Sequence, residues 1–257
     1  MKNVLLKIEY DGTSYHGWQK QTNTETIEQS IQSVLGIIFQ SEITLRACSR
    51  TDAGVHAKGQ LATISIPDDF PLQRLFSSVN SLLPPDISIV DIVEVGSDFL
   101  IKNENTGKRY IYRVNNSSVR MAIGRNYYWW VKRKFDLAPM QLAASNLVGT
   151  HHYSAFRGKG CTQKDLSKTI TIADIEESYN SGYRHLKFTI EGSGFLKNMI
   201  RIIVGTLVEV GRGKINPGSV QNALKTGLRT DAGLTAPAQG LMLDRIYLKN
   251  NPFDDCG

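Results

Sequence analysis

The sequence predicts an α+β protein. Apolar residues alternate with period two in several short runs, other stretches carry them at helical spacing, and helices are in places followed by two successive strands. That order suits helices packed on one face of a sheet better than a doubly wound fold. Val4, Leu6, Ile8 and Tyr10 alternate with Leu5, Lys7 and Glu9 in a first strand, which Asp11-Gly12 ends. Thr26 with Gln29 three residues on resembles a capping box, and Ile27, Ile31, Val34, Leu35 and Ile38 follow at helical spacing. Ile43, Leu45 and Ala47 suggest a strand and Ala62, Ile64 and Ile66 another, separated by the polar, glycine-bearing stretch from Ser49 to Gln60. Pro71 sits near the start of a helix carrying Leu72, Leu75, Phe76, Val79, Leu82 and Leu83, and Pro84-Pro85 stops it. Ile87 and Ile89 begin a further strand.

The second half reads similarly. Tyr110, Tyr112 and Val114 alternate with Arg109, Ile111 and Arg113; Leu137 to Leu147 has helical spacing; Ile170 and Ile172, then Leu186, Phe188 and Ile190, mark two strands. Phe195 to Val210 has helical length, Ser219 to Thr226 is a shorter helix, and Leu241 to Leu248 is the last strand. No low-complexity linker divides the chain. The expected organisation is two halves, 1–104 and 105–257, sharing a continuous sheet or a broad interface.

The chain has 257 residues, 41% hydrophobic and 21% charged, which excludes wholesale disorder. The best apolar run, Met199 to Val210, is broken by Arg201 and falls short of the ~18 residues a membrane span needs. The apolar segment near Met1 is too small for a signal peptide. Cys48, Cys161 and Cys256 are odd in number and far apart, which argues against a disulfide framework or a Cys-rich zinc site. A soluble, cytoplasmic protein without a membrane partner is expected. Thirty Lys+Arg against 24 Asp+Glu give a net charge of +6, which favours an anionic partner. The most basic stretch, Lys108 to Lys134, interleaves its cations with Tyr110, Tyr112, Tyr127, Tyr128, Trp129 and Trp130. Cations among flat rings suit phosphate contacts and base stacking, but equally a strand with a solvated face.

Missing motifs narrow the chemistry. There is no phosphate loop of the G-x-x-x-x-G-K-[ST] type, and Gly192-Ser193-Gly194 lacks the third glycine of a dinucleotide site. His151 and His152 are adjacent, not four apart, so a capped loop or a stacking role fits them better than a metal. Cys48 and Cys161 read as buried small residues rather than nucleophiles. These absences speak against ATP or GTP turnover and against a pair of metal ligands on one helix face.

The positive signal is Arg50-Thr51-Asp52-Ala53-Gly54-Val55-His56-Ala57. An arginine beside a carboxylate keeps it ionised, and a glycine permits a tight path that leaves it projecting. Such a carboxylate can serve as nucleophile or general base. From the five letters alone, an aspartate satisfying its own turn is the favoured reading. The same letters recur as Arg229-Thr230-Asp231-Ala232-Gly233, and local chemistry does not choose between Asp52 and Asp231.

Six blocks, in order, resemble the TruA-type tRNA pseudouridine synthases along nearly the whole chain. They are Glu9-Tyr10-Asp11-Gly12-Thr13-x-Tyr15-x-Gly17-Trp18-Gln19-x-Gln21, the Arg50–Ala57 motif, Asn80-x-x-Leu83-Pro84-x-Asp86-Ile87, Lys108-Arg109-Tyr110-x-Tyr112, Gly194-Phe195-Leu196-x-x-Met199-x-Arg201, and Thr235-Ala236-Pro237-Ala238-x-Gly240-Leu241. The resemblance implies two similar ferredoxin-like α+β halves sharing an extended antiparallel sheet, with helices on one face and a central cleft, in a homodimer. It implies isomerisation of uridine to pseudouridine at positions 38 to 40 of the tRNA anticodon stem-loop. Asp52 matches the catalytic aspartate, Arg50 the arginine that helps displace the target base, and Tyr110 the tyrosine that stacks on it. Arg201 matches the arginine paired with the carboxylate, and Leu241 an apolar residue lining the pocket. Breaking an N-glycosidic bond and making a C–C bond to the same ring balances electrons, so the implied reaction requires no metal, nucleotide or other cofactor, in keeping with the missing motifs.

The chain departs from the family pattern at Ser49, where glycine is usual, at Leu100-Ile101-Lys102 in place of His-Ala-Arg, and at Lys168 in place of arginine. These changes bear on RNA contacts rather than on the reacting set. Two other readings stay open: a non-catalytic tRNA-binding folding helper of the same fold, and a glycosidase using Asp52 and Asp231 as its carboxylate pair.

Overall fold

The computed structural model describes residues 1–253; Cys256 lies outside them. Two compact units are present, one built from Met1–Thr106 and the stretch from Leu243 onward, the other from Gly107–Met242. The class is mixed α+β with mostly antiparallel strands, as the sequence predicts.

The first unit opens with β1 (Lys2–Tyr10), in which Val4, Leu5, Leu6 and Ile8 are all at most 2% exposed. Strict alternation predicts one wet face; instead β1 lies between two strands with both faces covered, so Leu5 is buried as well. Helix α1 (Ile27–Phe39) begins where the capping signal places it, with the Thr26 hydroxyl accepting from the Gln29 N–H at 3.4 Å. Its stripe Ile27, Ile31, Val34 and Leu35 is buried, about 1.5–3 kcal/mol for each side chain. The strand predicted around Leu45 shrinks to β2 (Arg46–Ala47), while β3 (His56–Ile66) begins inside the stretch that reads as a loop. Pairing of Tyr10 with Ala57 and of Ile8 with Gln60 pulls that polar segment into the ladder. Next come α2 (Leu72–Leu82), β4 (Ile87–Val95) and a single turn, α3 (Ile101–Glu104), that no periodicity marks.

The second unit takes up β5 (Asn105–Asn115), β6 (Trp129–Trp130), α4 (Leu137–Ser145), β7 (Gly149–His152), β8 (Ser167–Asn180), β9 (Tyr183–Gly192), α5 (Met199–Gly211) and α6 (Ser219–Thr226). Its strands run in the order β5-β9-β8-β7, with β6 added parallel to β5. Helical spacing predicts α5 from Phe195, yet the helix starts at Met199. Asn198 sits in the left-handed region at φ 59°, and the Lys197 carbonyl accepts from Gly158 N at 2.8 Å, so the preceding residues are bonded elsewhere. Nearly every α5 residue is buried, which suits a helix apolar on most of its circumference. No helix among the described residues is long and apolar enough to cross a membrane.

The last strand, β10 (Leu241–Leu248), carries the chain from the second unit back into the first. There the order is β4-β1-β3-β10, with β2 on β3.

Candidate active site

In the first unit, the Arg50–Ala57 motif forms the approach to β3, and the Glu9–Gln21 block is its cradle. The Thr51 carbonyl accepts from Trp18 N at 3.1 Å, and the Thr51 hydroxyl lies 2.7 Å from that of Tyr10 in a buried hydrogen bond. Gly54 N donates to the Tyr15 carbonyl, and Val55 N to the Asp52 carbonyl, both at 3.1 Å. Gly54 adopts φ 75° to close that turn. Two further glycines let the loops touch. A Cβ at Gly12 would stand 2.1 Å from the Val55 oxygen, and one at Gly17 2.6 Å from the Thr51 oxygen.

The cradle is itself supported. Tyr15 donates its hydroxyl to Asp86 Oδ1 at 2.7 Å, and burial together with that carboxylate pushes the phenol well above its ordinary range, so it stays a donor. The Asp86 carbonyl accepts from Asp11 N, and Asn80 exchanges two hydrogen bonds with the Ile89 backbone. His56, 3% exposed, accepts the Gly12 N–H on Nδ1 at 3.1 Å. Gln60 donates to the Ser49 carbonyl at 2.9 Å. Asp52 is thus a half-buried carboxylate on a loop held at both ends, and Arg50 beside it is exposed.

In the second unit, Tyr110 on β5 is 8% exposed, and the Phe195 ring meets it edge-on at 5.3 Å. Arg201, in the first turn of α5, is a tied residue rather than a snorkelling one. Its Nε donates to the Ala236 carbonyl at 2.8 Å, its Nη1 to Asn198 Oδ1 at 2.9 Å, and its own carbonyl accepts from Ala236 N at 3.0 Å. The segment from Leu234 to Gly240 straps across this helix. A Cβ at Gly205 would lie 1.9 Å from the Leu234 oxygen. Tyr112 donates to the Pro237 carbonyl at 2.7 Å, and burial raises its phenol while the Arg201 charge opposes the rise. Leu241, 6% exposed, follows the strap directly.

The two copies of Arg-Thr-Asp-Ala-Gly have different surroundings. Asp231 accepts from Thr226 Oγ1 at 2.5 Å and Asn222 Nδ2 at 3.1 Å, holding the end of α6, while Arg229 donates to the Ala232 and Gly233 carbonyls. That is the environment of a structural carboxylate. His151 and His152 lie on β7, where His151 meets the Tyr153 ring edge-on at 5.9 Å and His152 lies 3.2 Å from Ser154 Oγ. Among the described residues no three His, Cys, Asp or Glu side chains gather as a metal site. Cys48 and Cys161 are half-buried, less enclosed than the sequence suggests.

Comparison with known proteins adds the decisive observation. The chain is 43% identical over 247 residues to tRNA pseudouridine synthase A of Acetivibrio thermocellus, covering 96% of this chain and all of that one. The chain belongs to the tRNA pseudouridine synthase A family. A Myxococcus xanthus relative of the same name is 38% identical across 98% of this chain and 94% of its own, and tRNA pseudouridine synthase A 2 of Clostridium perfringens is 39% identical across 96% and 100%. A family model described as tRNA pseudouridine synthase matches residues 143–247. That segment includes Arg201 and Leu241; Asp52, Arg50 and Tyr110 precede it. In this family member the residues that support the candidate set, namely Tyr10, Gly17, Asp86, Phe195, Asn198 and Ala236, were not singled out for those roles by sequence reasoning. Apart from Asn198, their one signal is membership of the shared blocks.

Proposed function

We propose that this chain isomerises uridine to pseudouridine in tRNA, at positions 38 to 40 of the anticodon stem-loop, as a cytoplasmic homodimer. The observation that carries the reading is full-length similarity to synthases of that name. The clamped, half-buried Asp52 supports the assignment of the reacting carboxylate. In this reading Asp52 starts cleavage of the N-glycosidic bond as nucleophile or base. The detached uracil turns and C5 bonds to the same ribose carbon, displacing the Asp52 carboxylate in the nucleophile route; the C5 proton leaves and N1, which kept the electron pair of the broken bond, takes one up. Arg50 helps displace the base from its stack, at a cost of a few kcal/mol, and stacking on Tyr110 returns about 1–3 kcal/mol. Arg201 is assigned to the Asp52 carboxylate and Leu241 to the pocket lining. The anchoring of Arg201 by Ala236 and Asn198 supports a guanidinium set in one orientation.

The test is tritium release from tRNA transcripts labelled at uridine C5, with product positions mapped. The wild-type chain should release label from the anticodon arm, and Asp52→Asn should bind the transcript but release none. Label retained by every tRNA in the presence of the wild-type chain overturns the reading. Tight binding without release would favour the folding-helper alternative.

A further inference from the structure

Two consecutive buried asparagines, Asn115 at the end of β5 and Asn116 just after it, differ sharply. Asn116 donates to the Val131 and Arg133 carbonyls and accepts from Arg184. Asn115 is 1% exposed, and neither its Nδ2 nor its Oδ1 has a partner among the described residues. Opposite it on β9, His185 carries a buried ring nitrogen, Nδ1, that likewise has no hydrogen-bond partner among the described residues. Buried amides with nothing to bond are rare, because water satisfied them in the unfolded chain.

Asn115 lines a pocket of about 320 Å³ together with Arg120, Arg125, Tyr128, Trp130 and Gln239. We propose that this pocket is a second RNA subsite, taking one unpaired nucleotide of the bound tRNA other than the base that is isomerised. The inference rests on the tRNA reading above. A carboxamide presents a donor and an acceptor side by side, the complement of a base edge. Tyr128 and Trp130 offer flat faces of the kind on which unpaired bases stack. The exposed Arg120 and Arg125 supply charge for the flanking phosphates.

The amide is closed off from water in this state, so a base reaches it only when a lining side chain turns aside. Trp130 is suited to that: it sits on the two-residue β6, is 40% exposed, and its indole nitrogen donates to the Ser117 carbonyl at 2.9 Å. Gln239 donates to the Tyr128 carbonyl at 3.0 Å. The pocket wall is thereby joined to the same strap that holds Arg201 through Ala236.

Asn115→Leu keeps the number and branching of the side-chain heavy atoms and removes the amide. A subsite predicts effects of opposite sign in the full-length protein. The free protein should melt at higher temperature, because an unmet amide is gone. Unmodified tRNA should bind about tenfold more weakly, with the loss in KM rather than in kcat. Trp130→Ala, with its folding checked by melting, should weaken tRNA binding by a similar factor. Wild-type tritium release checks the enzymatic reading separately. If the wild type is active while Asn115→Leu and Trp130→Ala both bind tRNA as tightly as it does, the subsite alone is wrong. A drop in melting temperature with unchanged affinity means that the amide serves the fold and overturns the proposal. So does a change confined to the dimer dissociation constant, which would make the pocket a contact between copies.

Discussion

Replacing Gly17 by alanine tests whether the cradle positions Asp52. Two costs add. Gly17 holds φ 93°, where an L side chain is strained by about 1–2 kcal/mol. The new Cβ would also stand 2.6 Å from the Thr51 oxygen and 3.1 Å from Ala53 N, both on the backbone flanking Asp52. Ordinary contact begins near 3.4 Å, so the loop must give way by roughly 0.8 Å. A displacement of about 1 Å at a reacting group can lower turnover about 100-fold. Gly213→Ala is the control: φ is 70° there, and a Cβ would meet nothing within 4 Å, so only the backbone cost applies. Both variants should lose about 2–4 °C in melting temperature per kcal/mol of strain. Only Gly17→Ala should lose single-turnover tritium release, by about 10- to 100-fold. Equal release from both variants, at matched fraction folded, would refute the cradle argument.

Other predictions follow from the same geometry. Asp231→Asn should keep turnover and lose about 1 kcal/mol of stability through its weakened bonds to Thr226 and Asn222, whereas Asp52→Asn should keep stability and lose turnover; denaturation curves beside release assays separate them. Tyr110→Phe should retain far more activity than Tyr110→Ala, since stacking needs the ring; equal, complete loss would assign the hydroxyl to proton transfer. Raising salt should weaken tRNA affinity steeply while the single-turnover rate at saturating enzyme changes little, and replacing Lys132, Arg133 and Lys134 by alanine should flatten the salt slope. Affinity flat with salt in both proteins would make that stretch an ordinary solvated face.

The parts legible in the sequence are those fixed by local rules. Thr26 and Gln29 announce α1, Ser219 to Thr226 is a helix as predicted, and β10 runs over the predicted Leu241 to Leu248. The parts that escaped depend on distant partners. The start of β3 is set by Tyr10 and Ile8, some fifty residues earlier, and the start of α5 by Gly158, about forty residues away. The two Arg-Thr-Asp-Ala-Gly copies could not be ranked because their difference lies outside the five letters. One is pressed against Gly12, Gly17 and Tyr10, and the other caps a helix through Thr226 and Asn222. Arg201 was legible as an odd cation in an apolar stretch, but its hold on Ala236, thirty-five residues on, was not.

The return of β10 to the first unit has a consequence for synthesis. β3 is eleven residues long and almost wholly buried, and its neighbour β10 is made only after the whole second unit. Until residues 243–248 emerge, the part of this apolar strand's edge that β2 leaves uncovered waits through the translation of the entire second unit. At about 5–20 residues per second that interval lasts many seconds, ample time for edge-to-edge association. A chain stopped shortly before Leu241 would therefore fail in the half that carries Asp52, although every residue of the Asp52 loop had been made.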